Sequence, residues 1–257
     1  MTKVPPPNPT RTAALSKLDL LRSKIPEWFS VTGDDGADTI LGTATIEDDQ
    51  AVEKLVCDLV VKGGYEITVA EQRRGEKFPF RCSERHIQYD GTFCVGYRAP
   101  SYVENLDRAE IWWELLKVFL TLQRIAAKSG MWPPQQAMSH GDAAPYHLRA
   151  EVAAKELDIE HEYIEMLQGA PKWFSTGEYL VAENGGLEGA ADVGCPISSC
   201  ERAAATSTIN ECCKLPHVRE LLEAERSRQI YEKSFWANRE GEECCGTMLR
   251  CPLRDRS

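Results

Sequence analysis

The sequence predicts a mixed α/β fold of the α+β kind: an N-terminal helix, an antiparallel meander of strands, a cysteine-bearing loop and a long helix. A helical and cysteine-rich C-terminal extension is expected behind it. Three observations carry this. Apolar residues recur at helical spacing near the start and again after residue 106, and runs rich in Val, Ile and Thr lie between them. Seven of the ten cysteines fall after residue 194, which marks the last part as a different kind of structure.

Residues 1–12, MTKVPPPNPTRT, are Pro-rich and are expected to form a disordered lead. Leu15, Leu18, Leu21, Ile25 and Trp28 then predict a helix over 11–29, with Pro26 as its stop signal. Gly33-Asp34-Asp35-Gly36 reads as a turn. Residues 38–47 (DTILGTATIE) and 54–61 (KLVCDLVV) read as strands, Gly63-Gly64 closes the second, and 65–70 reads as a third. Gln72 to Lys77 is a charged loop, and Phe78 to Arg81 is a short apolar approach to the cysteine loop. The strongest helix signal runs over 107–128. Its stripe is Ile111, Trp112, Leu115, Leu116, Phe119, Leu122 and Ile125, with Asp107 as N-cap and Gly130 and Pro133-Pro134 as terminators. The Trp112-Trp113 pair is expected in the core and Trp132 at the helix end. A helical region follows over 142–168, then irregular chain over 170–193 with a joint at Gly185-Gly186, then a charged helix over 215–237 read as a solvated face. The expected domains are 13–135, a helical extension over 136–193 and a cysteine-rich tail over 194–257.

At 257 residues with 42% hydrophobic content, the chain can bury a proper core. Thirty basic against forty acidic residues leave a net charge of -10, a poor basis for binding nucleic acid, which needs clustered Lys and Arg. There is no run of eighteen apolar residues to span a membrane and no apolar signal core at the start, so a cytoplasmic, non-secreted chain is expected. In a reducing compartment, ten cysteines point to metal or reactivity rather than disulfides.

Chemistry concentrates in residues 78–97, FPFRCSERHIQYDGTFCVGY. The turn signal Asp90-Gly91 stands three residues before Cys94, so backbone geometry holds that cysteine near the surface, as a nucleophilic thiol requires. Packing as a small buried hydrophobe is the competing fate of any free cysteine. Cys82 lacks the glycine turn and reads as core. Asp90 reads first as the turn-maker, with steering of an incoming amine as the second reading.

This segment resembles the active-site segment of ubiquitin-conjugating enzymes, which carry His-Pro-Asn, a short glycine-containing stretch and then the thioester cysteine. Gly91 keeps the family spacing to Cys94, and His86, eight residues before the cysteine, takes the asparagine position. The triplet itself is replaced by Glu84-Arg85-His86, a departure similar to divergent bacterial members from ubiquitin-like conjugation operons of phage defence. The resemblance implies a transferase that accepts a ubiquitin-like modifier from an activating enzyme as a thioester on Cys94 and passes it to a target protein, usually at a Lys amine. It implies His86 as the catalytic donor that would stabilise the oxyanion, with a structural histidine near the turn as the competing reading, and no cofactor for catalysis; the acidic balance and the lack of a long apolar run leave no nucleic-acid or membrane partner expected. A catalytically inactive conjugating-like binding module remains the alternative, because the triplet is altered; a zinc-stabilised adaptor is a third reading.

His140-Gly141-Asp142 with His147 superficially resembles a small-molecule phosphotransferase loop, but no glycine-rich phosphate loop precedes it. The simpler expectation is a helix N-terminus capped by Ser139 or Asp142. The tail cysteines Cys195, Cys200, Cys212, Cys213, Cys244, Cys245 and Cys251 are candidate zinc ligands, a subset of which would serve. No CxxC pair occurs, so structural zinc and packed free thiols both stay open.

Overall fold

The computed structural model describes residues 15–34, 38–47, 53–97, 103–177, 179–182, 186–189, 195, 197 and 208–254. The expected lead over 1–12, Asp35 and Gly36 of the first turn, Gly185 of the joint and Cys200 lie outside them. The chain divides into two compact units, Met1–Arg124 and Ile125–Ser257.

In the first unit, α1 spans Lys17–Arg22, shorter than the sequence pattern suggests. Ser16 and Asp19 form a capping box at its start, and the Ser23 amide closes back on the Asp19 carbonyl at its end. Leu18 and Leu21 are buried, whereas Leu15 is exposed before the cap. Strands β1 (Phe29–Asp34), β2 (Thr39–Ile46), β3 (Leu55–Lys62) and β4 (Thr68–Glu71) follow. They form one antiparallel sheet in chain order. Strand β1 was not expected, because Gly33 and Asp34 read as a turn. Both pair with β2, across a register irregularity between Val31 and Gly33. Alternation then decides which face is buried: Ile40, Ala44 and Ile46 on β2 and Cys57, Leu59 and Val61 on β3 all enter the core. Gly42 is required by close approach, since a Cβ there would run into the Phe29 ring.

Helix α2 spans Leu106–Ser129. Asn105, not Asp107, caps it: its side-chain oxygen accepts the Arg108 amide at 2.9 Å. The buried stripe runs through Ala109, Trp112, Trp113, Leu116, Phe119, Leu120 and Gln123, while Ile111 and Ile125 face outward. Trp112 and Trp113 are core residues, as expected. The Trp113 ring packs tilted against Phe29, centroids 4.9 Å apart, and its Nε1–H donates to the Leu21 carbonyl at 3.1 Å. These contacts tie α2 to both α1 and β1. Gly130, in the left-handed region at φ 68, ends the helix as anticipated.

In the second unit, the expected helix over 142–168 is two helices, α3 (Ala144–Glu156) and α4 (Glu160–Leu167). Asp158 at φ 59 breaks them, and Lys214 holds its carboxylate at 2.7 Å. Helix α5 spans Leu215–Ala237. It is not merely a solvated face, because Val218, Leu221, Leu222, Ala224 and Glu225 are buried in a core shared with α3, α4, Phe174 and Ile197. A short pair, β5 (Leu180–Val181) and β6 (Leu187–Glu188), lies in the chain between α4 and α5. Among the described residues no helix is long and apolar enough to cross a membrane.

Neither Ser139 nor Asp142 caps α3. Ser139 instead turns inward, its amide and hydroxyl lying 3.2 and 3.0 Å from Nδ1 of buried His147. Arg228 donates to the same hydroxyl at 3.2 Å and pairs through both forks with Glu225. Burial first, then the Arg228 charge, push the His147 imidazole down to about 4, with Glu232 opposing. Because the unfolded chain protonates this histidine near 6.5 and the folded one only near 4, stability is intact above 6.5. It drains as pH falls through that window, by up to about 3 kcal/mol. Hydrogen exchange of the α3 and α5 amides at pH 7 and pH 4.5 should read this loss, and His147→Gln should shrink it.

Candidate functional site

The cysteine segment folds into a small hairpin. An isolated antiparallel bridge joins Ile87 to Phe93, framed by Gln88 N–H to the Thr92 carbonyl and Cys94 N–H to the His86 carbonyl, both at 2.8 Å. A second bridge joins Cys82 to Ile87, and Phe93 N–H reaches the Val69 carbonyl on β4 at 2.8 Å. Period-two geometry then sorts the side chains. Ile87, Phe93 and Val95 turn inward and are buried, and Cys94 turns outward and is exposed. Phe93 seals the inner face, 4.9 Å from Phe119 of α2 in a stacked pair and 5.5 Å from Phe78 edge-on. Cys82 is buried, as expected for a core thiol, and Cys57 is buried as well.

The turn is built by Asp90 and Gly91. One Asp90 oxygen accepts the Thr92 amide at 3.0 Å and its hydroxyl at 2.6 Å. Burial opposes its ionisation, but these bonds and the Arg74 charge hold the carboxyl below its ordinary value. Gly91 sits at φ +79, and a Cβ there would lie 2.8 Å from Arg74 Cδ. Asp90 is therefore committed to the turn.

His86 sits directly across the hairpin from Cys94. It closes a 3-10 turn, Ser83–Arg85, in the left-handed region at φ 53 and ψ 34. A non-glycine residue there is uncommon, and such residues cluster at functional sites. Arg85, the residue before it, is only 2% exposed, and Gln123 of α2 is fully buried. Arg85 Nε donates to Gln123 Oε1 at 2.8 Å and its Nη2 to the Gln123 carbonyl at 3.0 Å, while Gln123 Nε2 donates back to the Arg85 carbonyl. Sequence reasoning missed this pair. Its signal was a glutamine interrupting the apolar stripe of α2, three residues after Leu120. A second missed feature is buried Glu71 at the end of β4. It accepts the amides of Gly75, Lys77 and Phe78 at 3.1, 2.8 and 3.3 Å and so folds the charged loop back on the sheet. Burial pushes its carboxyl up against those donors.

Cys94 is accessible as a residue, yet protein packs closely around its sulfur. That packing desolvates the thiolate and pushes its pKa up, against a backbone hydrogen bond from Gly96. Exposure governs which reagents reach the sulfur; packing governs what ionisation costs.

The other sequence candidates fall in the second unit. His140 Nδ1 lies 2.6 Å from Glu232 Oε1 and stacks on Phe235 at 4.7 Å, a structural pair at the start of the α3 segment. Cys212 and Cys251 are buried, Cys195, Cys244 and Cys245 are half-buried, and Cys213 is exposed. Backbone amides approach the sulfurs of Cys212 and Cys244 at 3.4 Å. Among the described residues, no group of three or more His, Cys, Asp or Glu is placed to hold a metal ion.

Two outcomes follow from this geometry. Iodoacetamide at pH 8 should modify Cys94 at least ~10-fold faster than Cys57, whose thiol burial and nearby carboxylates push up to about 12. Gly91→Ala should cost about 1–2 kcal/mol in chemical denaturation, from the left-handed backbone and the Arg74 contact.

Residues 28–134 match the family model of the prokaryotic E2 domain, and residues 139–253 match that of the cysteine-rich domain found C-terminal to E2 domains. No curated protein and no solved structure matches the chain. The helix–meander–hairpin–helix order around Cys94 agrees with a ubiquitin-conjugating type of fold. With both matches in this order along the sequence, the chain belongs to the bacterial E2-like proteins that carry a cysteine-rich domain behind the E2 domain.

Proposed function

We propose that this E2-like protein accepts a ubiquitin-like modifier from an activating enzyme as a thioester on Cys94 and transfers it to a target nucleophile, a Lys amine in the first instance. The observation that supports this best is the exposed Cys94 thiol on the outward face of a hairpin whose inward face is anchored to β4 and α2.

The chemistry is two acyl transfers. In loading, the Cys94 sulfur attacks the carbonyl of the modifier held on the activating enzyme, and that enzyme's thiolate leaves. In discharge, the amine attacks, a tetrahedral oxyanion forms, and Cys94 departs, its sulfur taking up the proton that the nitrogen gives up. A raised thiol pKa suits a carrier. Little thiolate stands at neutral pH to be oxidised, and a more basic thiolate is a poorer leaving group toward adventitious water. Productive discharge then needs a donor for the oxyanion. We assign that donor to His86, opposite Cys94, whose imidazole can donate through a ring N–H. No cofactor is required. The altered triplet Glu84-Arg85-His86, similar to that of divergent bacterial members, supports reading this activity as part of a bacterial conjugation system of phage defence.

Mixing the chain with its activating enzyme, modifier and ATP should give a reductant-sensitive adduct that is absent in Cys94→Ala. Cys94→Ser or Cys94→Lys should trap a reductant-resistant one. His86→Ala should slow discharge about 10²-fold while loading changes less than threefold. Survival of the adduct in Cys94→Ala sinks the proposal, and its absence from the native chain favours a binding module. Equal effects of His86→Ala on both steps would reduce that residue to a structural one.

A further inference from the structure

We propose that Arg85 and Gln123 are positioning residues for the Cys94 chemistry: their buried clamp fixes the peptide plane before His86 and so holds Cys94 and His86 in register. This rests on the reading of Cys94 as the acyl carrier.

Two peptide planes determine the backbone of His86. The plane before it sets φ, and the plane after it sets ψ. The structure grips both. On the first, the Arg85 carbonyl accepts from Gln123 Nε2, and the His86 amide donates to the Ser83 carbonyl at 2.8 Å. On the second, the His86 carbonyl accepts from Cys94 N–H at 2.8 Å, and the Ile87 amide donates to the Cys82 carbonyl at 2.9 Å. A left-handed residue other than glycine persists only when its surroundings over-determine it. Of these four bonds, three stay within residues 82–94, which form a short loop. The bond from Gln123 alone reaches out to a long helix, whose neighbouring Phe119 and Leu120 are packed in the core.

The Arg85 guanidinium makes the grip rigid. Its planar fork takes the side-chain oxygen and the main-chain carbonyl of Gln123 together, so the glutamine amide is presented to the Arg85 carbonyl in one orientation. A lysine would supply charge without the fork. Burying an arginine and a glutamine is costly compared with an apolar pair, and a buried polar network is tolerated where it specifies one geometry. Here that geometry is the turn that starts the Cys94 hairpin.

The test uses the full chain with Gln123→Met, which keeps length and packing but loses both hydrogen-bonding groups, and Arg85→Lys as a second variant. Hydrogen exchange should show the Cys94 and Ile87 amides opening at least ~10-fold faster in each variant, with the β2 and β3 amides unchanged. Discharge of the loaded chain to free lysine should fall ~10-fold in maximal rate, while the half-saturating concentration of charged activating enzyme stays within about threefold. Gln123→Glu keeps an acceptor for the guanidinium but cannot donate to the Arg85 carbonyl, so its discharge should stay as slow as that of Gln123→Met. Uniform acceleration of exchange across the sheet, or normal discharge from variants with an opened Cys94 amide, overturns the clamp while leaving the carrier role standing. A native chain that never loads overturns both.

Discussion

The placement of Cys94 depends on a backbone bond, from its own amide to the His86 carbonyl at 2.8 Å. That bond frames the Ile87–Phe93 bridge, and the bridge fixes which side chains face the core. A slip of one residue would turn Cys94 inward and Phe93 outward, abandoning the Phe93–Phe119 stack. Apolar burial of Phe93 and presentation of the thiol are therefore one event. The Asp90-Gly91 turn and the strained His86 are the two ends of the same constraint, one closing the hairpin and the other opening it.

The electrostatics around the sulfur fit this arrangement. The surroundings penalise the thiolate, with one backbone hydrogen bond from Gly96 opposing, so the packing that holds the thiol in place also works against its ionisation. Glu71 shows the same economy nearby, since a buried carboxylate organises the loop through three backbone amides.

Much of the first unit could be read from the sequence because it follows simple periodicities. β2 and β3 alternate cleanly, α2 carries a wide apolar stripe, and Asp90-Gly91 announces its turn. β1 could not be read, because Gly33-Asp34 is turn chemistry locally and only its pairing with Leu41 and Ile40 makes it a strand. The end of α1 and the break at Asp158 are likewise decided by caps and tertiary partners that a single-residue pattern does not contain. At the site, the exposure of Cys94 followed from its turn. The Arg85–Gln123 pair did not, because its two members are 38 residues apart and each looks ordinary alone. The burial of one face of α5 was hidden by the charges on its others.

Ten cysteines compete for the role assigned to one of them, including Cys213, which is also exposed. The most direct measurement is mass-spectrometric mapping of the acylated chain, quenched in acid without reductant after brief incubation with activating enzyme, modifier and ATP. The account predicts the modifier's C-terminal acyl group on the peptide containing Cys94 and on no other. Attachment at Cys213, or at any cysteine of the C-terminal unit, would contradict it.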